Sequence, residues 1–491
     1  MSHEPTDWAA QRRQKLQDLL GLGLPAHPTT FHTSHSAREL HERFDELEGA
    51  TLTVAGRIMA DNRMGKAAFL RLQDATGRIQ LYVKRDVVGE ELWQYYRLLD
   101  RGDLVGATGP LFRTKTGEAT VEVRNLVLLQ KSYAPLPEKF HGLQDVELRY
   151  RRRYLDLIAN EESRTIAVRR ARMIGAIREH LHGLGFLEVE TPVLQPLYGG
   201  GAATPFVTHV DAFDMRVYLR IADELYLKRL LVGGLERVYE IGKDFRNEGF
   251  SRKHSQEFTM LELYQAYADY HDMARLMEEM VSRLAVTLMG GTVASFDGQD
   301  VETAVPWQRT TFREAMQELA KLNVTPDTGA AELLEHGKRH GVVVSDAMSR
   351  GVLLDQIWST MVEPRLIQPT LVMDYPIDFP GSTFARSGKN PGEVERFEAF
   401  AGGMELANAF SEVNDRFEQE ERLRMLAAQS GTKYDPDEVD QDFLTALQYG
   451  MPPAGGLGIG LDRLAMVLTG ADHIRETILF PLLRRAEDAE C

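Results

Sequence analysis

The sequence predicts an α+β protein, with a small five-stranded β-barrel followed by a larger domain built on a mainly antiparallel sheet flanked by helices. Three observations carry this. Residues 51–129 fall into short runs of alternating polarity separated by turn signals. Beyond residue 160, strand-like and helix-like segments follow one another without the regular βαβ alternation of a doubly wound sheet. Arg237–Tyr270 reads as two strands around a polar loop, with one chemically mixed face.

Composition sets the bounds. The 491 residues suffice for two or three domains, with 43% hydrophobic and 26% charged residues, as in ordinary globular proteins. No apolar run is long enough to span a membrane. The apolar patch Leu19–Leu24 behind Arg12, Arg13 and Lys15 is too short and glycine-broken for a signal peptide. The one cysteine, Cys491, leaves no internal disulfide or cysteine-built zinc site and fits a reducing cytoplasm. A net charge of -16 argues weakly against nucleic acid as a partner, but it does not report local patches such as Arg149 and Arg151–Arg153. By itself that run reads as a solvated helix face.

Residues 1–50 form a helical extension, with Trp8, Leu16, Leu19 and Leu20 near helical spacing and Gly21, Gly23 and Pro25 as stop signals. Strands follow at Thr51–Ile58, Ala68–Leu72, Ile79–Val83, Leu104–Pro110 and Ala119–Leu128, with one helix-like segment at Gly89–Leu99. Five strands with a helix in that position suggest an oligonucleotide-binding barrel over 51–134. Pro135-Leu-Pro137 opens a linker or hinge, 135–160, and the large domain covers 161–491. Its predicted elements are a helix at Arg164–Leu184, strands near 187–191, 206–219, 237–247 and 257–264, and helices at 270–288 and 311–321. An α/β portion over 330–375 follows, then strands over 395–413 and a glycine-rich strand-to-helix junction at 455–470.

Three constellations could carry chemistry. Alternation places Glu240, Asp244, Arg246 and Glu248 on one face of the first hairpin strand, and Phe258, Met260, Glu262 and Tyr264 on one face of the second. With Arg252, Lys253 and His254 in the loop, the hairpin suits a phosphate, a flat ring and a cation together. A surface hairpin with scattered charge would show the same spacing. Gly455–Arg463 leads into an apolar helix. Too little chain follows for a dinucleotide fingerprint, which leaves close backbone approach or tight strand–helix packing. Glu398 and Glu405 flank Ala401-Gly402-Gly403. If Ala401-Gly402 is the turn, the two glutamates are cross-strand neighbours that need a cation between them, and magnesium holding phosphates is the natural candidate. Asn408, Phe410 and Glu412 share the other parity, so aiming all of these residues inward requires a bulge. Exposed glutamates facing water are the plain alternative.

These blocks, in order with Gly185-Phe-Leu-Glu-Val-Glu-Thr-Pro192, resemble the three signature motifs of class II aminoacyl-tRNA synthetases. Pro192 ends the first, the FRNE…EF block is the second and GLGIGLDR the third. Within that class the chain resembles the lysine-specific enzymes over nearly its whole length. The resembling stretches include Met64-Gly-Lys-Ala67, Lys139-Phe-His-Gly-Leu-Gln144, Arg153-Tyr-Leu-Asp-Leu157, Glu224-Leu-Tyr-Leu-Lys-Arg229, Phe258–Tyr264, Ala266–Tyr270 and Asn408–Asp415. Aspartate and asparagine relatives share the architecture but differ at Glu262 and Tyr264.

The resemblance implies an ATP-dependent lysine–tRNA ligase: a cytoplasmic homodimer joined through the first motif, using magnesium. It implies that Arg246 contacts the ATP α-phosphate and the amino-acid carboxylate, and that Phe258 and Arg463 sandwich the adenine. Glu248 would meet the adenine edge, His254 the terminal phosphates, and Glu398 and Glu405 the magnesium. Gly200 and Glu224 would hold the α-amino group of lysine. Glu262, Tyr264, Asn408 and Glu412 would surround its ε-ammonium, with Phe410 along the stem. In the barrel, Phe69 would stack on an anticodon base, with Arg57, Gln80 and Glu118 at base edges. The chain departs from the family at Ser255-Gln256, where Asn-Pro is usual, at Thr204, where a basic residue is usual, at Asp223, commonly proline, and at Asp61-Asn62, usually arginines. Alternatives are an aspartate or asparagine enzyme, a paralogue that lysylates protein, and a catalytically inactive RNA-binding or signalling protein.

Overall fold

A computed structural model describes residues 7–137, 143–201, 203–429 and 440–484. Most of Lys139–Gln144, and Cys491, lie outside the described residues. The chain divides into two compact units, Met1–Gln144 and Asp145–Cys491.

In the first unit, Thr51–Met64, Ala67–Gln73, Arg78–Lys84, Ala119–Glu122 and Leu104–Arg113 close into a five-strand ring, because the first strand pairs with both the second and the last. The run expected as one strand over Ala119–Leu128 is two, Ala119–Glu122 and Asn125–Gln130. Both pair with Leu104–Arg113, and the break falls near Gly109-Pro110, where proline has no N–H to donate. Alternation sends Ala68, Leu70, Leu72, Ile79, Leu81 and Val83 inward. The helix Asp7–Gly21 contributes Leu19, and later turns contribute Leu40 and Phe44, to that same core. The barrel helix runs Arg85–Arg97, with a non-helical Gly89.

The second unit begins with two short helices, Val146–Arg151 and Arg153–Ala159, inside the stretch read as a linker. Two arginines of the run there do not belong to a solvated face. Arg149 and Arg153 converge on buried Asp156, and Arg153 also donates to the carbonyls of Arg475 and Leu479. A buried guanidinium with these acceptors fixes the two helices to the C-terminal segment.

The unit is organised by one eight-stranded sheet. In spatial order its strands are Gln308–Thr311, Thr370–Pro376, Glu393–Ala401, Met404–Ser411, Ala454–Gly460, Glu257–Ala266, Arg237–Phe245 and Leu187–Glu188. Only the two outermost pairings are parallel. Tyr239, Leu261, Leu263, Leu457 and Ile459 pack on one face against the helices Glu161–Gly183, Tyr270–Met289 and Leu461–Thr469. The other face carries Val238, Tyr264, Phe400 and Phe410 against a second core that includes the helices Glu224–Val232 and Arg350–Met361. The site lies on this second face. Segment 311–321, expected as one helix, is an α-turn Phe312–Ala315 continued by a π-turn Met316–Ala320.

Candidate active site

The hairpin register brings the two mixed faces together. Glu240 pairs with Glu262, Gly242 with Met260 and Asp244 with Phe258. The first strand ends at Phe245, so Arg246 and Glu248 reach the site from the loop. The crowd of carboxylates on this face is answered by a residue the sequence reading missed. Arg220, 1% exposed, sits above Gly242 and pairs with Glu240 at 2.6 Å and with Asp244 at 3.1 Å. A Cβ on Gly242 would lie 1.8 Å from the Arg220 guanidinium, so only glycine allows that approach.

A cavity of about 400 Å³ opens beside the hairpin. Its wall includes Gly200, Glu224, Arg246, Glu248, His254, Phe258, Glu262, Tyr264, Glu405, Asn408, Phe410 and Arg463. Twelve positions expected from different stretches therefore converge. At one end Arg246 stands over the Phe258 ring, 5.2 Å from its centroid. Arg463 donates to the Glu405 carboxylate at 3.0 Å and to the Lys253 carbonyl at 3.2 Å. Burial lowers the pKa of His254 to about 4, helped by Arg463 and Lys253, so it is neutral at pH 7 until an anion arrives. The unusual Ser255-Gln256 pair braces the loop: Gln256 donates through its side chain to the Glu248 carbonyl and accepts from the Arg246 N–H. Behind this end, buried Asp462 accepts from the Thr259 N–H and from Arg170, which ties the strand to the helix that carries Arg463.

Further along the same strand Glu262 accepts only the Tyr264 hydroxyl, at 3.1 Å, and has no ion pair among the described residues. Burial raises its pKa to about 8, reinforced by Glu224 and Asp244. The glycine strand explains how these groups fit. A Cβ on Gly458 would lie 2.6 Å from Glu262 Oε1, and one on Gly456 would lie 2.0 Å from Glu412 Oε1 and 2.5 Å from the Tyr264 ring. These glycines make room for pocket side chains. Glu412, 2% exposed, and Glu224 are both paired with Lys228, which is fully buried and was not anticipated. Asp223 is fully buried too, and neither of its oxygens accepts a hydrogen bond among the described residues.

The Glu398/Glu405 register differs from the one expected. The turn is Gly402-Gly403, both at positive φ (61° and 70°), so Ala401 pairs with Met404 and Phe400 with Glu405. A bulge then leaves Leu406 unpaired and sets Glu398 opposite Asn408. Glu398 and Glu405 are therefore not direct cross-strand partners, whereas the required bulge is present. Glu398 accepts the Tyr375 hydroxyl at 2.8 Å and pairs with Arg396, which also donates to Asn408. Burial raises Glu398 to about 7 against the pull of Arg396, with Glu405 adding to the rise. Burial acts the same way on Glu405, but Arg463 outweighs it and the net shift is downward. No group of three or more His, Cys, Asp or Glu among the described residues is placed to hold a metal. The two glutamates fit a hard cation only as a pair completed by other oxygens, such as phosphates.

On the barrel, Phe69 is outside the core, stacked on Tyr82 at 4.8 Å, with Phe112 edge-on to Tyr82. Gln80 donates to Thr120 and Arg57 to the Gly102 carbonyl, while Glu118 is exposed. Tyr82 shares the parity of Gln80, a signal that could have placed it beside Phe69. Asp61 is committed internally, to Tyr96 and Arg63.

Comparison with known proteins identifies the family. Residues 145–484 match the family described as tRNA synthetases class II (D, K and N), and residues 52–129 match the OB-fold nucleic acid binding domain. A lysine–tRNA ligase of Moorella thermoacetica is 49% identical over 98% of this chain and 99% of its own length. One from Chloroflexus aurantiacus is 48% identical over 99% and 100%, and one from Carboxydothermus hydrogenoformans 47% over 96% and 97%. No helix among the described residues is long and apolar enough to cross a membrane.

Proposed function

The chain belongs to the class II tRNA synthetases and, within them, to the lysine–tRNA ligases, and from that premise we propose how its residues divide the work. It ligates lysine to tRNA at the expense of ATP. The observation that carries the assignment is Glu262, a cavity-wall carboxylate with no ion-pair partner among the described residues, four residues along the strand from Phe258. A lysine ε-ammonium supplies the missing charge, joined by Tyr264 and Asn408, with Phe410 beside the aliphatic stem. Each charge-assisted hydrogen bond there contributes roughly 1.5–3 kcal/mol. A side chain without the ammonium strands the carboxylate, which is how such a site discriminates by about 10⁴. Gly200 and Glu224 hold the α-amino group.

Phe258 and Arg463 enclose the adenine, Glu248 meets its edge, and Arg246 bridges the α-phosphate and the lysine carboxylate. One carboxylate oxygen attacks the α-phosphorus in line, the bond to pyrophosphate breaks, and lysyl-adenylate forms. A terminal ribose hydroxyl of the tRNA then displaces AMP from the lysyl carbonyl. No side chain among the described residues is placed as an obvious general base, so positioning and charge stabilisation by Arg246 and Arg463 supply the rate. Glu398 and Glu405 would hold magnesium, which when bound neutralises phosphate charge. His254, neutral in the empty site, receives the terminal phosphates. Phe69, with Arg57, Gln80 and Glu118, contacts the anticodon.

We also place the working enzyme in the cytoplasm as a homodimer. Leu187, Leu194, Val207 and Phe213 are exposed apolar residues clustered in sequence around the first motif, and they suit a self-complementary interface. The test of function is ATP–pyrophosphate exchange with each amino acid in turn. Lysine is expected to be the best substrate, and preference for aspartate or asparagine would overturn the pocket assignment.

A further inference from the structure

Lys253, in the loop of the hairpin, lines the same cavity as His254 and has no part in the chemistry described above. Its ammonium pairs with Glu363, which comes from a distant part of the chain, the short turn Glu363–Arg365 after the helix Arg350–Met361. Its backbone carbonyl accepts from Arg463 at 3.2 Å. The two partners differ in freedom. The segment behind Glu363 is fastened to the turn that precedes Glu405. The Gly403 N–H donates to the Leu366 carbonyl at 3.0 Å, and the Gly402 N–H to the Ile367 carbonyl at 2.8 Å. A Cβ on Gly403 would meet the Pro364 carbonyl oxygen at 3.2 Å, so the contact is close. Glu363 is buried on this support, whereas the Lys253 side chain is 32% exposed and hangs on a flexible stem.

Glu363 therefore stands as a fixed negative charge at the phosphate end. Burial, then Glu363, raises the pKa of Asp355, and Glu363 also adds to the rise that burial and Glu405 cause at Glu398. Glu405 has Arg463 and Glu398 has Arg396, while the one ion-pair partner of Glu363 among the described residues is Lys253. A carboxylate in such a place repels a polyphosphate unless a cation stands between them. The ammonium of Lys253 is the group that can stand there. It carries three donors and can turn from the carboxylate toward arriving phosphate oxygens, but only by giving up part of its pairing with Glu363.

We propose that Glu363 is a positioning residue for the leaving pyrophosphate, acting through Lys253. It holds the loop ammonium in the empty site, competes with the terminal phosphates for it, and draws it back as pyrophosphate departs. The inference rests on the placement of the terminal phosphates at His254 given above.

The test is Glu363→Gln, Lys253→Met and the double variant in lysine-dependent ATP–pyrophosphate exchange, read as KM for ATP, for pyrophosphate and for lysine. Glu363→Gln keeps an acceptor for Lys253 but removes the competing charge. The KM values for ATP and pyrophosphate are expected to fall roughly three- to tenfold, and added pyrophosphate then inhibits aminoacylation at correspondingly lower concentration. Lys253→Met leaves the carboxylate bare and raises both KM values by roughly tenfold or more. The double variant removes that carboxylate as well and binds ATP and pyrophosphate better than Lys253→Met. In all three the lysine KM is unchanged, and so is the transfer of lysine to tRNA from lysyl-adenylate freed of pyrophosphate. A raised ATP KM in Glu363→Gln overturns the proposal, because that is the outcome if Glu363 anchors the loop or holds magnesium itself. An unchanged ATP KM overturns it as well. Parallel loss of the transfer step reduces the pair to a support of the fold. If Lys253→Met does not fold, Glu363→Gln decides alone. His254→Asn separates the two readings. An unchanged pyrophosphate KM there removes the placement of the phosphates itself, whereas a raised one with no gain in Glu363→Gln removes only the role of Glu363.

Discussion

Glu240 and Glu262 stand directly opposite each other on neighbouring strands, yet only Glu240 has a cation, the Arg220 guanidinium at 2.6 Å. The hairpin thus carries one satisfied carboxylate and one held in waiting. That asymmetry governs how the pocket responds to pH and to mutation.

Because burial, Glu224 and Asp244 raise Glu262 to about 8, the empty site holds a proton there at pH 7. A lysine ammonium binds the carboxylate form, so binding at pH 7 expels that proton. Calorimetry in buffers of different ionisation enthalpy is expected to show proton release at pH 7 that fades by pH 9. kcat/KM for lysine rises with pH up to about 8.

Gly458→Ala places a Cβ 2.6 Å from Glu262 Oε1. The carboxylate must move, and overpacking of this kind costs about 1–3 kcal/mol. Steady-state kinetics should show a lysine KM raised roughly tenfold or more, with a smaller change in the ATP KM.

Asp223 takes the place of a common proline and has no hydrogen-bond partner among the described residues. Burial, then Asp244 and Glu262, hold its pKa well above the usual carboxylate value. The folded state therefore binds this proton more tightly than the unfolded chain. Stability is fully present below the unfolded pKa and falls as pH rises from about 4 toward the raised folded value. Asp223→Asn removes the titratable group, and with it the cost of keeping it protonated in the folded state, so thermal unfolding should show a Tm gain that is larger at pH 8 than at pH 5, equivalent to about 1–3 kcal/mol.

Phe69→Ala removes a ring that lies outside the barrel core. Loss of one base-stacking platform costs about 1–3 kcal/mol. Filter-binding and charging assays should show weaker tRNA binding and slower aminoacylation, with pyrophosphate exchange unchanged.

Much of this was legible in the sequence because period-two alternation transfers directly to a sheet. Phe258, Glu262 and Tyr264 share the face that alternation assigned them. The need for a bulge beyond Glu405 was likewise readable from parity. What alternation cannot supply is the register of a turn with two candidate glycine pairs. The left-handed Gly402-Gly403 decided it and moved Glu398 away from Glu405. Nor could it supply the counter-ions. Arg220 directly follows the strand Met215–Leu219 and Lys228 lies in the helix Glu224–Val232, and the neighbours of neither give a sign that its charge turns inward, onto Glu240 and Asp244 or onto Glu224 and Glu412. The roles of Gly456 and Gly458 also depend on what faces them, which only the folded sheet reveals.

The most direct measurement of the central claim is the effect of Glu262→Gln on the two substrates of the activation step. The KM for lysine is expected to rise roughly 10- to 100-fold, the loss of one charged partner, while the KM for ATP stays within about threefold. Equal weakening of lysine and ATP, or no weakening of lysine, would contradict it.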